Sequence, residues 1–262
     1  MRENTVRSKL SGGGMVVNGW LQIPSSFSAE IMAHQGFDSL VIDMQHGLID
    51  YQIAVTMLQA ISTTTTIPLV RVPWNEPASI MKMLDAGAYG IICPMINSRQ
   101  EAEQLVRSCK YAPKGNRSFG PIRASLYAGS DYAQHANDTV IVMPMIETKE
   151  ALENIDEILG TPGVDGAYVG PADLSLTLGC TPQVDQTEEP VVKALETILA
   201  ACKRHKVIPG LHNASSSYAL KMAAKGWQFV TLASDSRYLA ARASEELSAM
   251  ESENRPLLLK SY

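Results

Sequence analysis

Eight short apolar runs alternate with longer amphipathic stretches along the chain, and this alternation constrains the fold more than any other feature. A strand followed by a helix, repeated many times, is typical of βα units that build a parallel sheet. Eight such units within 262 residues match the size and repeat of a (β/α)8 TIM barrel. We therefore predict strands at 15–21, 37–43, 67–72, 88–95, 139–146, 164–170, 206–212 and 227–233.

The segments between these strands are predicted to be helices, and several carry boundary signals. Pro77 stands at the start of one helix, and Gly87, Gly160 and Gly226 follow the ends of others. The runner-up architecture is an open doubly wound sheet, but the GxGxxG fingerprint of dinucleotide-binding sheets does not follow the first strand. The run SGGG at 11–14 precedes a strand, so we interpret it as a flexible lead-in. The predicted helices are 27–35, 50–62, 77–86, 98–110, 148–159, 188–205, 214–225 and 236–250.

Composition and charge narrow the possible functions. The chain is 45% hydrophobic, which is enough apolar material for one large core, and either one large α/β domain or two small ones would fit. With eight βα units, we predict a single barrel domain over 1–262. The net charge is −5 and no block of basic residues is present, which argues against nucleic acid and anionic membranes as partners. The chain start lacks the apolar run of a signal peptide, and the four cysteines form neither a CxxC pair nor a zinc motif. We expect a cytoplasmic protein with reduced thiols.

Polar side chains stand where the predicted strands end, which is where the active sites of such barrels lie. Imidazoles and carboxylates can move protons there, and a guanidinium can hold negative charge. No lysine stands at a strand end, so a Schiff-base mechanism is disfavoured. The strand-end residues are Asp43, His46, Arg71, Glu147, the segment GPADLS at 170–175, His212, Asn213, Ser234 and Asp235.

Glu147 and Asp173 follow adjacent predicted strands, so their carboxylates are expected to meet. Two carboxylates leave most coordination positions to water and substrate, which suits Mg2+ or Mn2+ better than a closed structural zinc site. The alternative for each residue is a cap at the start of a helix. In the segment formed by Gly170, Pro171, Ala172 and Asp173, free N–H groups at a helix start would bind a small carboxylate, and the alternative is an ordinary βα turn.

Three further residues are candidates of different quality. Arg71 is suited to hold an oxyanion or a developing enolate, and its alternative is an ion pair with a neighbouring acid. The imidazole of His46 is the natural proton carrier near neutral pH. Asp85 stands near the turn before the fourth strand, at the opposite end of the barrel, so spacing alone makes it a helix-terminal residue. The long connection at 111–138 is compatible with a lid, a subunit contact or both.

Together these residues resemble the 2,4-dihydroxyhept-2-ene-1,7-dioate aldolases, the HpcH/HpaI group of class II pyruvate aldolases within the phosphoenolpyruvate/pyruvate barrel superfamily. The resemblance spans nearly the whole chain, and its segments are specific because they occur together. They are 19–47 with DMQHG, 80–120 with LDAGAYG, 144–159 with PMIETKEAL, 166–179 with GAYVGPADLS, and the closing KSY.

The resemblance implies catalytic roles for three residues. His46 matches the catalytic base, which acts directly or through water. Asp85 matches the aspartate that forms a dyad with this histidine, across subunits or through a local bend of the chain. Arg71 matches the arginine that binds the keto oxygen and stabilises the enolate.

The resemblance also implies the binding residues. Glu147 and Asp173 match the two ligands of a divalent metal ion, Mg2+, Mn2+ or Co2+. The backbone from Gly170 to Asp173 matches the pocket for the pyruvate carboxylate. His212 replaces an apolar residue of the acceptor pocket in some relatives. Relatives are hexamers, trimers of dimers that exchange their last helix, and the apolar tail 257–262 is consistent with docking on a neighbour.

The chain departs from the family pattern at a few positions. It has DMQHG where many relatives have DGEHA, and Met145 where they have a glutamine that helps order the metal and the substrate. His212 and Arg123, the latter in a long loop of differing length, indicate an acceptor aldehyde unlike the one that names the family.

We therefore predict a metal-dependent aldolase that reversibly cleaves a 4-hydroxy-2-oxo acid to pyruvate, or hydroxypyruvate, and an aldehyde through a metal-stabilised enolate. One alternative is a carbon–carbon lyase of the citryl or malyl type that acts on a CoA thioester, which would need extra basic and adenine-binding elements. The other is a non-catalytic barrel that binds 2-oxo acids, which would have lost one of Glu147, Asp173, Arg71 or His46.

Overall fold

Eight parallel strands close into a barrel in a computed structural model of the chain. Each strand pairs with its neighbour in sequence, and β1 also pairs with β8, which closes the ring. The structure describes residues 1–254, so the tail 257–262 and the docking expected of it lie outside the described residues. The strands are β1 (Val16–Leu21), β2 (Ser39–Asp43), β3 (Ile67–Arg71), β4 (Gly90–Cys93), β5 (Ile141–Ile146), β6 (Gly166–Val169), β7 (Ile208–His212) and β8 (Phe229–Ser234).

Helices follow the strands and cover the outside of the barrel. Most begin at a side chain that caps the free N–H groups of the first turn, as Ser98 does in a capping box with Glu101. The helices are α1 (Thr5–Ser11), α2 (Ser26–Ala33), α3 (Tyr51–Ile61), α4 (Pro77–Asp85), α5 (Arg99–Cys109), α6 (Ile122–Ala128), α7 (Tyr132–Thr139), α8 (Lys149–Glu153), α9 (Ile155–Leu159), α10 (Pro171–Thr177), α11 (Glu189–His205), α12 (Ser216–Lys225) and α13 (Asp235–Asn254).

The predicted (β/α)8 barrel and all eight predicted strands are confirmed, with ends that differ by a few residues. Two local predictions are wrong. The helix predicted over 148–159 is interrupted at Asn154 and forms α8 and α9. The run at 11–14 is not a flexible lead-in, because Ser11 ends α1, a helix that buries Val6 and Leu10, and Gly12 forms its C-cap.

The long connection at 111–138 does not cover the carboxyl ends of its own barrel's strands. It joins the end of α5 to the start of β5, so it lies at the amino ends of the strands, where it folds into α6 and α7. The guanidinium of Arg123 donates there to the carbonyl of Ala86, just beyond the end of α4. Neither this connection nor Arg123 therefore reaches the strand-end cluster within one protomer.

Alternation along the strands divides the core into two layers. In β5, Met143 and Met145 belong to the cluster inside the barrel, whereas Val142 and Ile146 belong to the cluster between the sheet and the helices. Polar residues that follow the strands lie at the carboxyl ends of the barrel. Among residues 1–254, no helix combines the length and hydropathy that crossing a bilayer requires.

Candidate active site

The carboxylate of Asp43, at the end of β2, connects three parts of the site. Its two oxygens accept hydrogen bonds from Nε and Nη2 of Arg71 at 2.9 and 2.7 Å. The indole Nε1 of Trp20 donates to the same group, as do the backbone N–H groups of Gln45 and His46. Burial acts to raise the pKa of Asp43, but the hydrogen bonds and charge of Arg71 outweigh it and hold that pKa below its ordinary value. One buried anion therefore fixes the ends of β1, β2 and β3 together.

The turn after β2 brings His46 to the surface of this cluster. A side chain on Gly47 would place its Cβ 2.2 Å from the carbonyl oxygen of Asp43, so only glycine allows the chain to turn this tightly. The side chain of His46 is exposed, and within the described residues its imidazole makes no hydrogen bond or ion pair. The imidazole is thus fixed at its backbone and open to a ligand.

Arg71 is a buried cation, with 8% of its surface exposed. The structure shows the alternative interpretation of this residue, an ion pair with Asp43 at the strand ends, and its role toward an oxyanion stays a prediction. Its guanidinium lies 4.9 Å from the ring centre of Trp20, which supports the charge with a cation–π contact. Nε and Nη2 are used by Asp43, whereas Nη1 has no hydrogen bond to any residue that the structure describes. One guanidinium nitrogen thus stays available for an oxyanion.

Glu147 follows β5 and is buried, with 2% of its surface exposed. Its Oε1 accepts a hydrogen bond of 2.8 Å from the backbone N–H of Met95, and its Oε2 lies against Gly170, where a Cβ would come within 2.6 Å. Burial and the negative charge of Asp173 raise the pKa of Glu147 to about 7, against the opposing effects of the Met95 N–H and Arg71. The carboxylate is therefore desolvated without a full counter-charge.

Asp173 lies in the first turn of α10, which begins directly after β6 with Gly170 as its N-cap. Its carboxylate is exposed and near enough to Glu147 to act on its charge. Among residues 1–254, no group of three or more His, Cys, Asp or Glu side chains could hold a metal. Two hard oxygen donors that are short of positive charge fit an open divalent-cation site, in which water and substrate complete the coordination.

His212 ends β7 on the other side of Trp20. Its Nδ1 lies 2.8 Å from the hydroxyl of Tyr168, which in turn lies 2.7 Å from the hydroxyl of Thr231. Desolvation and the positive charge of Arg71 lower the pKa of His212 to about 4, so its imidazole is neutral at pH 7. The ring also borders a cavity of about 110 Å³ at the carboxyl ends of β1, β7 and β8.

Asp85, like Arg123, is a candidate that the protomer does not bring to the cluster. It ends α4 at the opposite face of the barrel, where its Oδ1 accepts a hydrogen bond of 2.6 Å from Nη2 of Arg117. The local bend that would join Asp85 to His46 within one chain is therefore absent from residues 1–254. A dyad between them requires a second subunit.

Three residues that shape the site were missed by the sequence analysis. Trp20 and Tyr168 lie inside strands and were not named as candidates, although their alternation with outward residues could have placed them inside the barrel. Met95 contributes through its backbone N–H, and no side-chain pattern could have predicted this.

Comparison with known proteins shows the family of the chain. Residues 19–241 match the family model described as HpcH/HpaI aldolase/citrate lyase. The chain is 46% identical to the hydroxypyruvate/pyruvate aldolase of Rhizorhabdus wittichii, with 92% of this chain and 96% of that protein covered. It is 38% identical to the 4-hydroxy-2-oxo-heptane-1,7-dioate aldolase of Escherichia coli, with 94% of each covered. The crystal structure of an HpcH/HpaI aldolase/citrate lyase family protein from Burkholderia cenocepacia superposes with a TM-score of 0.89 at 31% identity, over 95% of this chain and 99% of that one.

The substitution Asp43→Asn tests the buried ion pair. It leaves the Arg71 guanidinium buried without a counter-ion, so we expect the free energy of unfolding to fall by about 3–5 kcal/mol. Asp50→Asn is the matched control, because Asp50 caps α3 and asparagine caps a helix about as well as aspartate. Denaturant titration measures both variants, and equal small losses in the two would contradict the account.

The raised pKa of Glu147 predicts a pH dependence in the metal-free protein. A carboxyl that holds its proton more tightly when folded stabilises the fold at low pH, and this contribution is lost as pH rises from about 4.5 to about 7. Relative to Glu147→Gln, the wild type should therefore lose roughly 3 kcal/mol over that interval and change little above it. Unfolding titrations at several pH values measure the difference, which a pH-independent gap between the two proteins would contradict.

Proposed function

The chain belongs to the HpcH/HpaI aldolase/citrate lyase family, and on that premise we propose that it is a class II aldolase. It would cleave a 4-hydroxy-2-oxo acid reversibly to pyruvate, or hydroxypyruvate, and an aldehyde. The observation that carries the proposal is the desolvated carboxylate of Glu147, which lies beside Asp173 and within range of the charge of Arg71. This arrangement supports a cation site and an oxyanion site at the same strand ends.

We propose that Glu147 and Asp173 hold the divalent cation, Mg2+, Mn2+ or Co2+. When bound, this ion supplies Lewis-acid polarisation of the 2-oxo group of the substrate. Its positive charge also offsets the repulsion between the two carboxylates, which the protein leaves only partly neutralised. Gly170 keeps the space beside Glu147 free of a side chain.

The binding of the 2-oxo acid follows from two groups of donors. Nη1 of Arg71 is free to donate to the keto oxygen and so to hold negative charge as it develops there. The substrate carboxylate would bind at the start of α10, where Pro171 has no N–H and the amides of Ala172 and Asp173 precede the first intrahelical hydrogen bond. The two contacts together orient the substrate across the ends of β3 and β6.

His46 is the proposed proton carrier. Its exposed imidazole can take the proton of the 4-hydroxyl group during cleavage, directly or through one water, and return it during synthesis. Asp43 accepts from the backbone N–H of His46 and from Arg71, so it ties the turn that carries the imidazole to the end of β3. Asp85 of a neighbouring subunit would orient the imidazole, since the protomer's own Asp85 lies at the other face.

His212 is proposed to contact the acceptor aldehyde. Its imidazole is held against Trp20 and Tyr168 and borders the cavity at the ends of β1, β7 and β8. A neutral imidazole offers hydrogen bonding without a charge, so it favours a polar acceptor over a purely aliphatic one.

Exchange of the methyl protons of pyruvate in D2O, followed by NMR, tests the proposed chemistry without an acceptor. We expect exchange that stops with a chelator and returns with Mn2+. Glu147→Ala should slow it by at least about 10-fold, because loss of a ligand costs no less than loss of a group that orients one. Glu150→Ala, an exposed position on α8, is the matched control and should exchange at the wild-type rate.

Exchange that survives the chelator, or that is undiminished in Glu147→Ala, would contradict the cation role. A parallel screen of aldehydes and acyl-CoA acceptors separates the aldolase from a thioester lyase. Products formed only with the thioesters would replace the proposed reaction by the citryl or malyl type.

We further propose that the chain assembles as a hexamer, a trimer of dimers, through its last helix. Every residue of α13 from Arg237 to Met250 is exposed in the protomer, including Tyr238, Leu239, Leu247 and Met250. A helix after the eighth strand usually covers the barrel, so this exposed length is available to be exchanged with a neighbour. The free cysteines, three of them buried, suit the reducing cytosol, where we propose that the enzyme acts.

The assembly prediction is checked by light scattering of the eluting protein during gel filtration. We expect a mass six times that of the chain. Leu239→Asp, which places a charge on the exposed apolar surface of α13, should lower that mass. A wild-type protein that elutes as a monomer at micromolar concentration would contradict the assembly and the shared use of Asp85.

A further inference from the structure

Met95 has a backbone conformation that its residue type rarely adopts. Its φ is +55°, and within the described part of the chain Lys206, at +57°, is the only other non-glycine residue with positive φ. Lys206 has an ordinary reason for this value, since it is the left-handed C-cap of α11. Met95 follows β4 and caps no helix, so its conformation needs another explanation.

The conformation places a hydrogen-bond donor on the buried carboxylate. The backbone N–H of Met95 donates to Oε1 of Glu147 at 2.8 Å, and within residues 1–254 it is the only hydrogen bond that this carboxylate accepts. Gly170 leaves room for the carboxylate on its other side, since a Cβ there would lie 2.6 Å from Oε2. The N–H of Met95 thus selects one oxygen of Glu147 and leaves the other for a ligand.

Neighbouring residues hold the turn in this conformation. The side-chain amide of Asn97 donates to the carbonyl of Met95 at 3.4 Å, and its carbonyl oxygen accepts from the hydroxyl of Thr148, the residue after Glu147. The side chain of Asn154 donates to the backbone carbonyl of Asn97 at 2.8 Å. The segment after β4 is therefore tied to the segment after β5, and an unfavourable φ persists where the surroundings fix it from several sides.

We propose that Met95 is a positioning residue whose left-handed backbone, and not its side chain, orients Glu147 for the divalent cation. This inference rests on the proposed cation site and adds to it the group that sets its geometry. It predicts an unusual order of substitutions at Met95. Glycine, which removes the whole side chain, preserves the function because it adopts positive φ readily, whereas valine, a β-branched residue, disrupts it.

Calorimetric titration of the chelator-treated full chain with Mn2+ tests this order. Met95→Gly should keep the dissociation constant within about threefold of the wild type. Met95→Val should raise it by about 10- to 100-fold, the usual loss when a group that orients a metal ligand is removed. Met95→Leu preserves the side-chain size, but its Cβ meets the same strain at positive φ as that of methionine, so it should bind Mn2+ no better than the glycine variant. If Met95→Val does not fold, the Mn2+ affinities of Met95→Leu and Met95→Gly test the inference.

Lys206→Gly and Lys206→Val are the matched controls, because Lys206 has nearly the same positive φ as Met95 but lies far from the site. Lys206→Val should lower the unfolding temperature and leave Mn2+ affinity unchanged. Strong binding by Met95→Leu with a large loss in Met95→Gly would overturn the inference, since the side chain would then matter. A wild-type protein that binds no Mn2+ would overturn the cation site itself, which is a different outcome.

Discussion

The buried ion pair between Asp43 and Arg71 is the interaction on which the rest of the site depends. A charge removed from water must be almost fully paired, and Asp43 meets this demand with the fork of Arg71, the indole of Trp20 and two backbone N–H groups. These partners come from β1, β3 and the turn after β2, so a single carboxylate determines how three strand ends meet. The exposed imidazole of His46 and the free nitrogen of Arg71 both take their positions from it.

Glu147 shows the opposite balance at the same face of the barrel. It is as deeply buried as Asp43 but receives one backbone hydrogen bond and lies beside another acid. Burial acts to raise the pKa of both carboxyls. The difference between their pKa values therefore comes from their partners. The protein neutralises the charge of Asp43 fully, so this carboxylate stabilises the fold. It neutralises the charge of Glu147 only in part, so that carboxylate suits a cation. A site in which two buried acids differ in this way can hold both a metal and an oxyanion.

The fold and the members of the site follow largely from the sequence. The alternation of apolar and amphipathic stretches predicts the eight strands. Because parallel strands all end on the same side, it also predicts that Arg71, Glu147 and His212 lie at one face of the barrel. The features that sequence reasoning missed depend on contacts distant along the chain. The helix α1 is stabilised by burial of Val6 and Leu10 against the barrel. The segment 111–138 lies at the amino ends of the strands because it joins the end of α5 to the start of β5. The strained φ of Met95 leaves no trace in a pattern of side chains, since its function is carried by the backbone.

X-ray diffraction at the manganese absorption edge, from crystals soaked in Mn2+, tests the central claim most directly. The account predicts one strong anomalous peak within coordination distance of the carboxylates of both Glu147 and Asp173. Oε1 of Glu147 should still accept the hydrogen bond from the backbone N–H of Met95. A peak at any other group of residues, or no peak beside Glu147 at a saturating concentration, would contradict it.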